Sequence, residues 1–317
     1  MKKQIYHIQP VYQSFVWAGR RLIDRYRLQT QLENVGTIYN VIAIPGHLDN
    51  LVTEAGMPLS QFYRENPELF GISEEVFPVR MTITCNEGRQ SYQVHPDDAY
   101  AMAHEGTRGK VSGGIVLDPS DKVKRKRFGH TASSREEFQA MVEAKDWERL
   151  FTWVEVPDGD FLHTPAGVPH GGSGDGSVTV TYSANSDITY RFYDFDRNDP
   201  KRPLHLQQTY DCINIPELEL GPVHPIPQVL DGITFYHYYD VPGEYWAGRM
   251  VVEGKGQYEA SRFLFYGCYA GSGAIGGVAI QPGETLFVPA GYGPVTLEGD
   301  LDLILLSYTP LAEGAAL

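Results

Sequence analysis

The chain has 317 residues, 42% of them hydrophobic and 21% charged, values that are ordinary for a soluble globular protein. Lys and Arg number 26 and Asp and Glu number 40, so the formal net charge is −14. This acidic balance argues against nucleic-acid and anionic-membrane partners, which favour basic surfaces. An anionic small ligand would need a local cluster of positive groups.

Cysteine usage indicates a reducing compartment. Cys85, Cys212 and Cys268 are odd in number and far apart, with no CxxC spacing, and they are interpreted as reduced thiols. The first residues contain no apolar run long enough for a signal peptide, and no segment approaches the roughly 18 apolar residues that span a bilayer. We therefore expect a cytoplasmic protein without membrane contacts.

Short strands separated by Gly and Pro turns dominate the predicted elements. A short helix is expected at Leu59–Asn66, with Ser60 as its cap, and a longer one at Ser133–Leu150, which begins with two good capping serines. The segment Ser177–Ser183 alternates polar and apolar residues with period two, as a half-buried strand does. Further strands are predicted within Met81–His95 and at Gly113–Leu117, Trp153–Val156 and Phe161–Thr164.

A proline-rich break and an internal repeat predict two β units. Asn214–Gln228 carries four prolines, a density that predicts a linker. Gln281–Gly291 echoes Val156–Gly167, each with a turn, a short strand and a Pro-Ala-Gly turn, which predicts two copies of one β-barrel unit. We expect residues 1–215 to form a first domain with the functional site and a small helical insertion. Residues 222–317 are expected to form a second β domain without metal ligands.

A candidate metal site lies in the first unit. Gln93 and His95 are one residue apart on a predicted strand, so both side chains lie on one face. An imidazole nitrogen and an amide oxygen aimed at one point suit a divalent metal such as Zn²⁺. His170 follows the strand Phe161–Thr164, and closure of a barrel would bring it opposite His95. The alternative is that these histidines are satisfied structural residues, as lone histidines usually are.

Arg191 admits two interpretations. It lies in an aromatic-rich segment, and a buried structural ion pair with Asp194 is slightly favoured. The other interpretation is a guanidinium fork that binds an oxyanion or a sugar phosphate.

Taken together, five strings in order resemble a class I (type I) mannose-6-phosphate isomerase in its short bacterial form. They are Trp17–Gly19, Gln93–Asp98, Gly129–Thr131, Pro165–His170 and Asn185–Arg191. The resemblance implies a mainly β fold of two cupin-type (double-stranded β-helix, jelly-roll) barrels and a bound Zn²⁺. It places Gln93, His95 and His170 on metal ligands. It places Arg191 on the arginine assigned a catalytic role.

This sequence departs from the family pattern at four pocket positions. Ser112 stands where the family has a glutamate metal ligand, and Thr82 where it has a lysine. Thr37 and Thr181 stand where it has two further glutamates. With one carboxylate ligand lost, water or His163 remains open as the fourth ligand.

Two functions follow from the resemblance and its departures. The first is a metal-dependent aldose–ketose isomerase acting on a sugar phosphate or related sugar, with Lys110, Thr82 and Ser112 contacting the substrate. The second is a catalytically impaired cupin that binds or senses a carbohydrate. Either way the expected partner is a small-molecule sugar or sugar phosphate.

Overall fold

The computed structural model describes residues 3–117, 124–171 and 174–312. The strands are β1 (Tyr6–Gln9), β2 (Val11–Gln13), β3 (Thr37–Val41), β4 (Ala43–Ile44), β5 (Leu48–Asp49), β6 (Leu51–Val52), β7 (Met57–Pro58), β8 (Val79–Cys85), β9 (Tyr92–Val94), β10 (Ser112–Val116), β11 (Lys124–His130), β12 (Phe151–Val156), β13 (Phe161–Thr164), β14 (His170–Gly171), β15 (Val178–Ala184), β16 (Tyr190–Tyr193), β17 (Gln228–Leu230), β18 (Ile233–Asp240), β19 (Tyr245–Tyr258), β20 (Leu264–Ile275), β21 (Val278–Ile280), β22 (Thr285–Val288) and β23 (Val295–Tyr308). The helices are α1 (Arg21–Tyr26), α2 (Leu59–Glu65), α3 (Pro67–Phe70), α4 (Asp98–Glu105), α5 (Arg135–Glu143), α6 (Trp147–Leu150) and α7 (Leu206–Cys212).

Three antiparallel sheets form the body of the protein. The central sheet has the strand order β13-β10-β15-β8-β3-β2, and the outer sheet has the order β12-β11-β14-β9-β16. The C-terminal sheet has the order β17-β18-β19-β23-β20-β22-β1-β6-β7, with β21 paired to β20. The strand β1 thus joins the C-terminal sheet, where Tyr6 lies opposite Phe287 on β22.

The central sheet is buried on both faces, and the alternation along β15 shows how. Val178, Val180 and Tyr182 are fully buried and belong to the main hydrophobic core. That core also contains residues of the C-terminal sheet such as Phe287, so it lies between these two sheets. The intervening side chains of Thr179 and Thr181 point the other way and line a cavity. Successive side chains on a strand point to opposite faces, so one strand serves both the core and the cavity.

The outer sheet closes the other side of the cavity and carries the helical insertion on its back. Tyr92 on β9 packs outward in a cluster with Phe138 of α5 and Phe192 of β16. Its neighbour Gln93 points inward and lines the cavity. The small helices therefore support the strand that positions a candidate ligand.

Two helix predictions differ from the structure in detail. The segment predicted as one helix forms α5 and α6, separated at Lys145, which has a positive φ of 54°. Ser134 caps α5 as expected, while the carboxylate of Asp146 begins a new helix at α6. Ser60 is not the cap of α2, because the helix begins at Leu59 and Ser60 lies inside it, where its backbone amide donates to Asp49 3.0 Å away.

The mainly β fold class is confirmed, and the predicted strands all appear within one or two residues of their expected limits. Both repeat segments contain a four-residue strand at matching positions, β13 and β22. The division at residues 215 and 222 stays a prediction, since β1, β6 and β7 pair with C-terminal strands. None of the helices in the described part of the chain has the length and apolar character needed to cross a membrane.

Phe287 tests the core between the central and C-terminal sheets. Its ring is fully buried and stacks on Phe70 with centroids 4.6 Å apart. We expect Phe287→Ala to lower the free energy of unfolding by about 3–5 kcal/mol, because it leaves a cavity in a close-packed core. Urea denaturation measures this loss, with exposed Val16→Ala as the control. Equal losses for the two variants would contradict the described packing.

Candidate active site

The cavity between the central and outer sheets has a volume of about 280 Å³. Hydroxyl side chains line its wall on the central sheet, and the register of the strands determines their positions. Thr82 on β8 lies directly opposite Thr181 on β15, and Ser112 on β10 lies one row away. The hydroxyl side chains that line the cavity are Thr37, Tyr39, Thr82, Thr84, Ser91, Ser112, Thr164, Thr179, Thr181 and Thr189.

All four positions at which the sequence is expected to depart from the family pattern lie in this wall. Thr37, Thr82, Ser112 and Thr181 each line the cavity. The first three are more than nine-tenths buried. Thr37 and Thr84 share a hydrogen bond of 3.2 Å between their hydroxyls. Among the described residues, no hydrogen-bond partner is found for the hydroxyls of Thr82, Ser112 and Thr181. These groups can therefore turn toward a polar ligand.

The opposite wall presents one row of four side chains from four neighbouring strands of the outer sheet. Phe128 pairs with His170, His170 with Gln93, and Gln93 with Arg191. Adjacent strands lie roughly 4.8 Å apart, so Gln93 is flanked closely by His170 and Arg191. His95 follows β9 and lies on the same face as Gln93, as the alternation predicted.

These positions bring the three predicted metal ligands together. The Nε2 atoms of Gln93 and His170 are 3.3 Å apart, and the ring centroids of His95 and His170 are 5.0 Å apart. In both histidines Nδ1 contacts a backbone carbonyl, that of Ile188 for His95 and that of Val168 for His170, each at 2.9 Å. A carbonyl can only accept, so Nδ1 carries the hydrogen and Nε2 keeps its lone pair. This is the usual support of a metal-binding imidazole.

Electrostatics also keep both rings neutral, as metal ligation requires. Burial lowers the pKa of His170 to about 4, and the nearby Lys110 pushes it in the same direction. The pKa of His95 is lowered strongly by burial, with Lys110, His170 and Arg80 adding to the effect. The donor set of two imidazole nitrogens and one amide oxygen fits Zn²⁺. Among the described residues there is no group of three or more His, Cys, Asp or Glu side chains that could hold a metal, and this set of two histidines needs the amide of Gln93 as its third donor.

His163 does not belong to this constellation. Its neighbours on β13, Leu162 and Thr164, line the cavity, so His163 points to the opposite face. There Nδ1 lies 3.1 Å from the hydroxyl of Tyr245, and the ring stacks on Tyr239 with centroids 4.5 Å apart. His163 therefore links the central sheet to the C-terminal sheet and is no candidate for a fourth ligand.

Lys110, Arg80 and Asp187 lie together in the lining of the cavity. Burial and the neighbouring Arg80 lower the pKa of Lys110 strongly. Asp187 is the one carboxylate among the cavity-lining residues that the structure describes. It contacts Arg80 at 3.3 Å and His47 at 3.2 Å. Burial alone would raise the pKa of Asp187, but Arg80 and Lys110 outweigh it and hold the pKa low.

Arg191 is not the ion-pair partner of Asp194, the interpretation that the sequence slightly favoured. Asp194 is occupied by Arg197 at 2.7 Å and Arg202 at 2.9 Å. The Arg191 guanidinium lines the cavity, and within the described residues it donates no hydrogen bond. Burial and the adjacent Arg202 lower its pKa. Arg191 is therefore free to bind an anionic or polar ligand beside Gln93.

Sequence reasoning left out several lining residues, although signals for two of them were present. Arg80 is two residues before Thr82 on one strand, so alternation places both on the cavity face. Asp187 lies within the Asn185–Arg191 string. Lys126, Arg127 and Arg202 also line the cavity, and only the pairing of distant strands brings them there.

The fold and the cavity define a mainly β protein with a candidate divalent-metal site between two sheets. No protein-family model matches the chain. It is 30% identical over 312 residues to the probable mannose-6-phosphate isomerase GmuF of Bacillus subtilis strain 168, covering 94% of this chain and 97% of that protein. It is 31% identical over 318 residues to the mannose-6-phosphate isomerase ManA of the same strain, covering 94% and 96%. The chain belongs to the mannose-6-phosphate isomerase family.

Solved structures agree with this assignment. The crystal structure of the Bacillus subtilis mannose 6-phosphate isomerase has a TM-score of 0.88 to this chain at 26% identity, covering 95% of this chain and 99% of that one. A zinc-bound mannose 6-phosphate isomerase shares the fold, with a TM-score of 0.74 at 13% identity over 96% of this chain and 99% of that one.

The link between His163 and the two tyrosines predicts a pH dependence of stability. Burial lowers the pKa of His163 to about 4, whereas an unfolded histidine titrates near pH 6.5. The unfolded chain therefore binds this proton first, and the stability present above about pH 6.5 is lost as the pH falls toward about 4. In metal-free protein we expect His163→Gln to reduce the slope of unfolding free energy by up to about 1.4 kcal/mol per pH unit in this window.

Urea denaturation between pH 4.5 and 6.5 would measure that slope. Exposed His104→Gln is the matched control and should keep the wild-type slope. If His163→Gln also kept it, His163 would not be a buried neutral residue.

Proposed function

We propose that this chain is a divalent-metal-dependent aldose–ketose isomerase of a sugar phosphate, with mannose 6-phosphate as the first substrate to test. The observation that carries the proposal is the row His170, Gln93, Arg191 in the outer sheet. It sets a metal-type donor set directly beside an arginine that forms no ion pair among the described residues, facing a wall of hydroxyl groups. The two relatives that match nearly the whole chain are named for the same reaction, which supports the proposal.

Gln93, His95 and His170 are the residues that would hold the ion, and Zn²⁺ suits their donor atoms. When bound, such an ion supplies Lewis acidity toward the oxygens on C1 and C2 of the sugar. The amide of Gln93 now donates to Nε2 of His170. The amide oxygen accepts from the hydroxyl of Ser91 at 3.4 Å, and a half-turn of the amide would direct this oxygen to the metal position instead.

The protein's own groups would orient the substrate and stabilise charge. Arg191 can donate to an enediolate-like oxygen as negative charge develops there. Thr82 and Ser112 offer hydroxyls to the hydroxyls of the sugar from the opposite wall. Lys110 is proposed to contact the substrate as well, and its lowered pKa makes it easier for the amine to give up a proton.

One observation favours the second function, a binding or sensing protein without turnover. Asp187 is the one described carboxylate in the cavity, and its contacts to Arg80 and His47 hold it in the ionised form. Carboxylates are common proton carriers in isomerisation, and general acid–base catalysis contributes roughly 10²–10⁴-fold. Under this alternative, sugars and sugar phosphates raise the melting temperature while no conversion occurs.

The proposed reaction is tested with zinc-loaded protein in a coupled assay that follows mannose 6-phosphate to fructose 6-phosphate. We expect the wild type to convert the substrate, and His95→Asn to lose both its bound zinc and the conversion. Exposed His104→Asn should retain both. A fully zinc-loaded wild type that converts neither sugar phosphate would refute the isomerase assignment and leave the binding function.

Arg191 is tested separately from metal binding. We expect Arg191→Met to lower kcat by about 10²–10³-fold, the usual effect of removing one preorganised donor, while zinc content stays unchanged. Arg64→Met, on an exposed position of α2, should leave kcat at the wild-type value. An unchanged kcat in Arg191→Met would show that the guanidinium does not touch the reacting atoms.

The cytoplasmic location expected from the three cysteines stays a prediction. Cys85, Cys212 and Cys268 form no disulfide bond within the described part of the chain.

A further inference from the structure

We propose that this pocket binds its divalent metal and an oxyanion-bearing ligand cooperatively, because the ligand supplies negative charge that the protein's own ligand set lacks. The inference rests on the proposed function only in that it uses the same metal position. It concerns binding, and it holds or fails whether or not the protein turns over a sugar.

The first observation is the charge of the ligand set. Gln93, His95 and His170 are all neutral when they bind a metal, so a divalent ion at this point would keep its full charge of two. Ser112, which stands at the family's glutamate position, faces the cavity and brings no charge. The remaining carboxylate of the lining, Asp187, is already engaged by Arg80.

The second observation is the sign of the surroundings. Lys110 is nine-tenths buried and lines the same cavity as the three candidate metal ligands. Six cationic side chains line the cavity in a chain whose net charge is −14: Arg80, Lys110, Lys126, Arg127, Arg191 and Arg202. Arg80, Arg127 and Arg202 each form an ion pair with a carboxylate, whereas Arg191 forms none among the described residues.

These two observations have a thermodynamic consequence. A divalent ion entering this positive cavity meets repulsion that is only weakly screened, since the site is largely removed from water. An oxyanion of the ligand offsets that repulsion, and Arg191 beside Gln93 is placed to hold it. Coupling between two ligands is reciprocal, so the metal must tighten the anion by the same factor.

The experiment measures zinc affinity by competition with a chromogenic chelator, with and without saturating mannose 6-phosphate. We expect the ligand to tighten zinc by roughly 5–150-fold, the usual range of such coupling. Sulfate, which carries the charge without a sugar, should give part of this gain, and neutral mannose should give none. Equal zinc affinity with and without mannose 6-phosphate would overturn the proposal.

A charge-restoring variant makes the test specific. We expect Ser112→Glu to tighten zinc in the absence of any anion and to reduce the coupling factor toward one. Ser112→Gln adds the same bulk without charge and should retain wild-type coupling. Coupling that survives unchanged in a folded, zinc-tightened Ser112→Glu protein would contradict the charge argument.

A second variant covers the case in which Ser112→Glu does not fold. Arg191→Met removes positive charge instead of adding negative charge, because a guanidinium stays protonated, and it should likewise tighten zinc without anion and weaken the coupling. Unchanged zinc affinity in Arg191→Met would also overturn the proposal. The isomerase assay is read independently, so an inactive protein with strong coupling refutes the reaction and leaves this inference standing.

Discussion

Burial of the central sheet on both faces is the constraint on which the rest of the structure depends. Its strands must present apolar side chains to the core shared with the C-terminal sheet, as Val180 and Tyr182 do. The alternate positions, such as Thr181, then face a second interior space. A one-residue slip of a strand would exchange these two sets and bury hydroxyls in the core, so register is strongly specified. The cavity wall is therefore fixed by the same packing that stabilises the fold.

The outer sheet supplies the candidate metal ligands and the arginine that line this cavity. Its strands β14, β9 and β16 place His170, Gln93 and Arg191 in one row, with spacing set by backbone hydrogen bonds and not by flexible loops. On the reverse face, Tyr92 anchors β9 in an aromatic cluster with the helical insertion. A ligand residue held between two such neighbours has little freedom, which is what a preorganised metal site needs.

Local patterns in the sequence predicted most strands and the shared face of Gln93 and His95, because alternation is a property of a single strand. They could not predict that His170 pairs with Gln93, since that depends on two strands 77 residues apart in the chain. The same limit explains Arg191. Its nearest acid along the chain, Asp194, is bound instead by Arg197 and Arg202 once the loop folds. The helix break at Lys145 was likewise hidden, because no Gly or Pro marks it.

The hydroxyl-rich wall gives this cavity a different charge from the one that the family pattern implies. Carboxylates at Thr37, Ser112 and Thr181 would lie in the same small cavity as Lys110, Arg80 and Arg191, and they would neutralise much of its positive charge. With hydroxyls there instead, the charge of the cavity is set by its cations. Such a site attracts anions more strongly and holds a bare cation more weakly than a carboxylate-lined one. If these hydroxyls replace carboxylates, as the resemblance implies, the ligand would supply negative charge that the protein lacks, and this is the physical basis of the coupling proposed between metal and ligand.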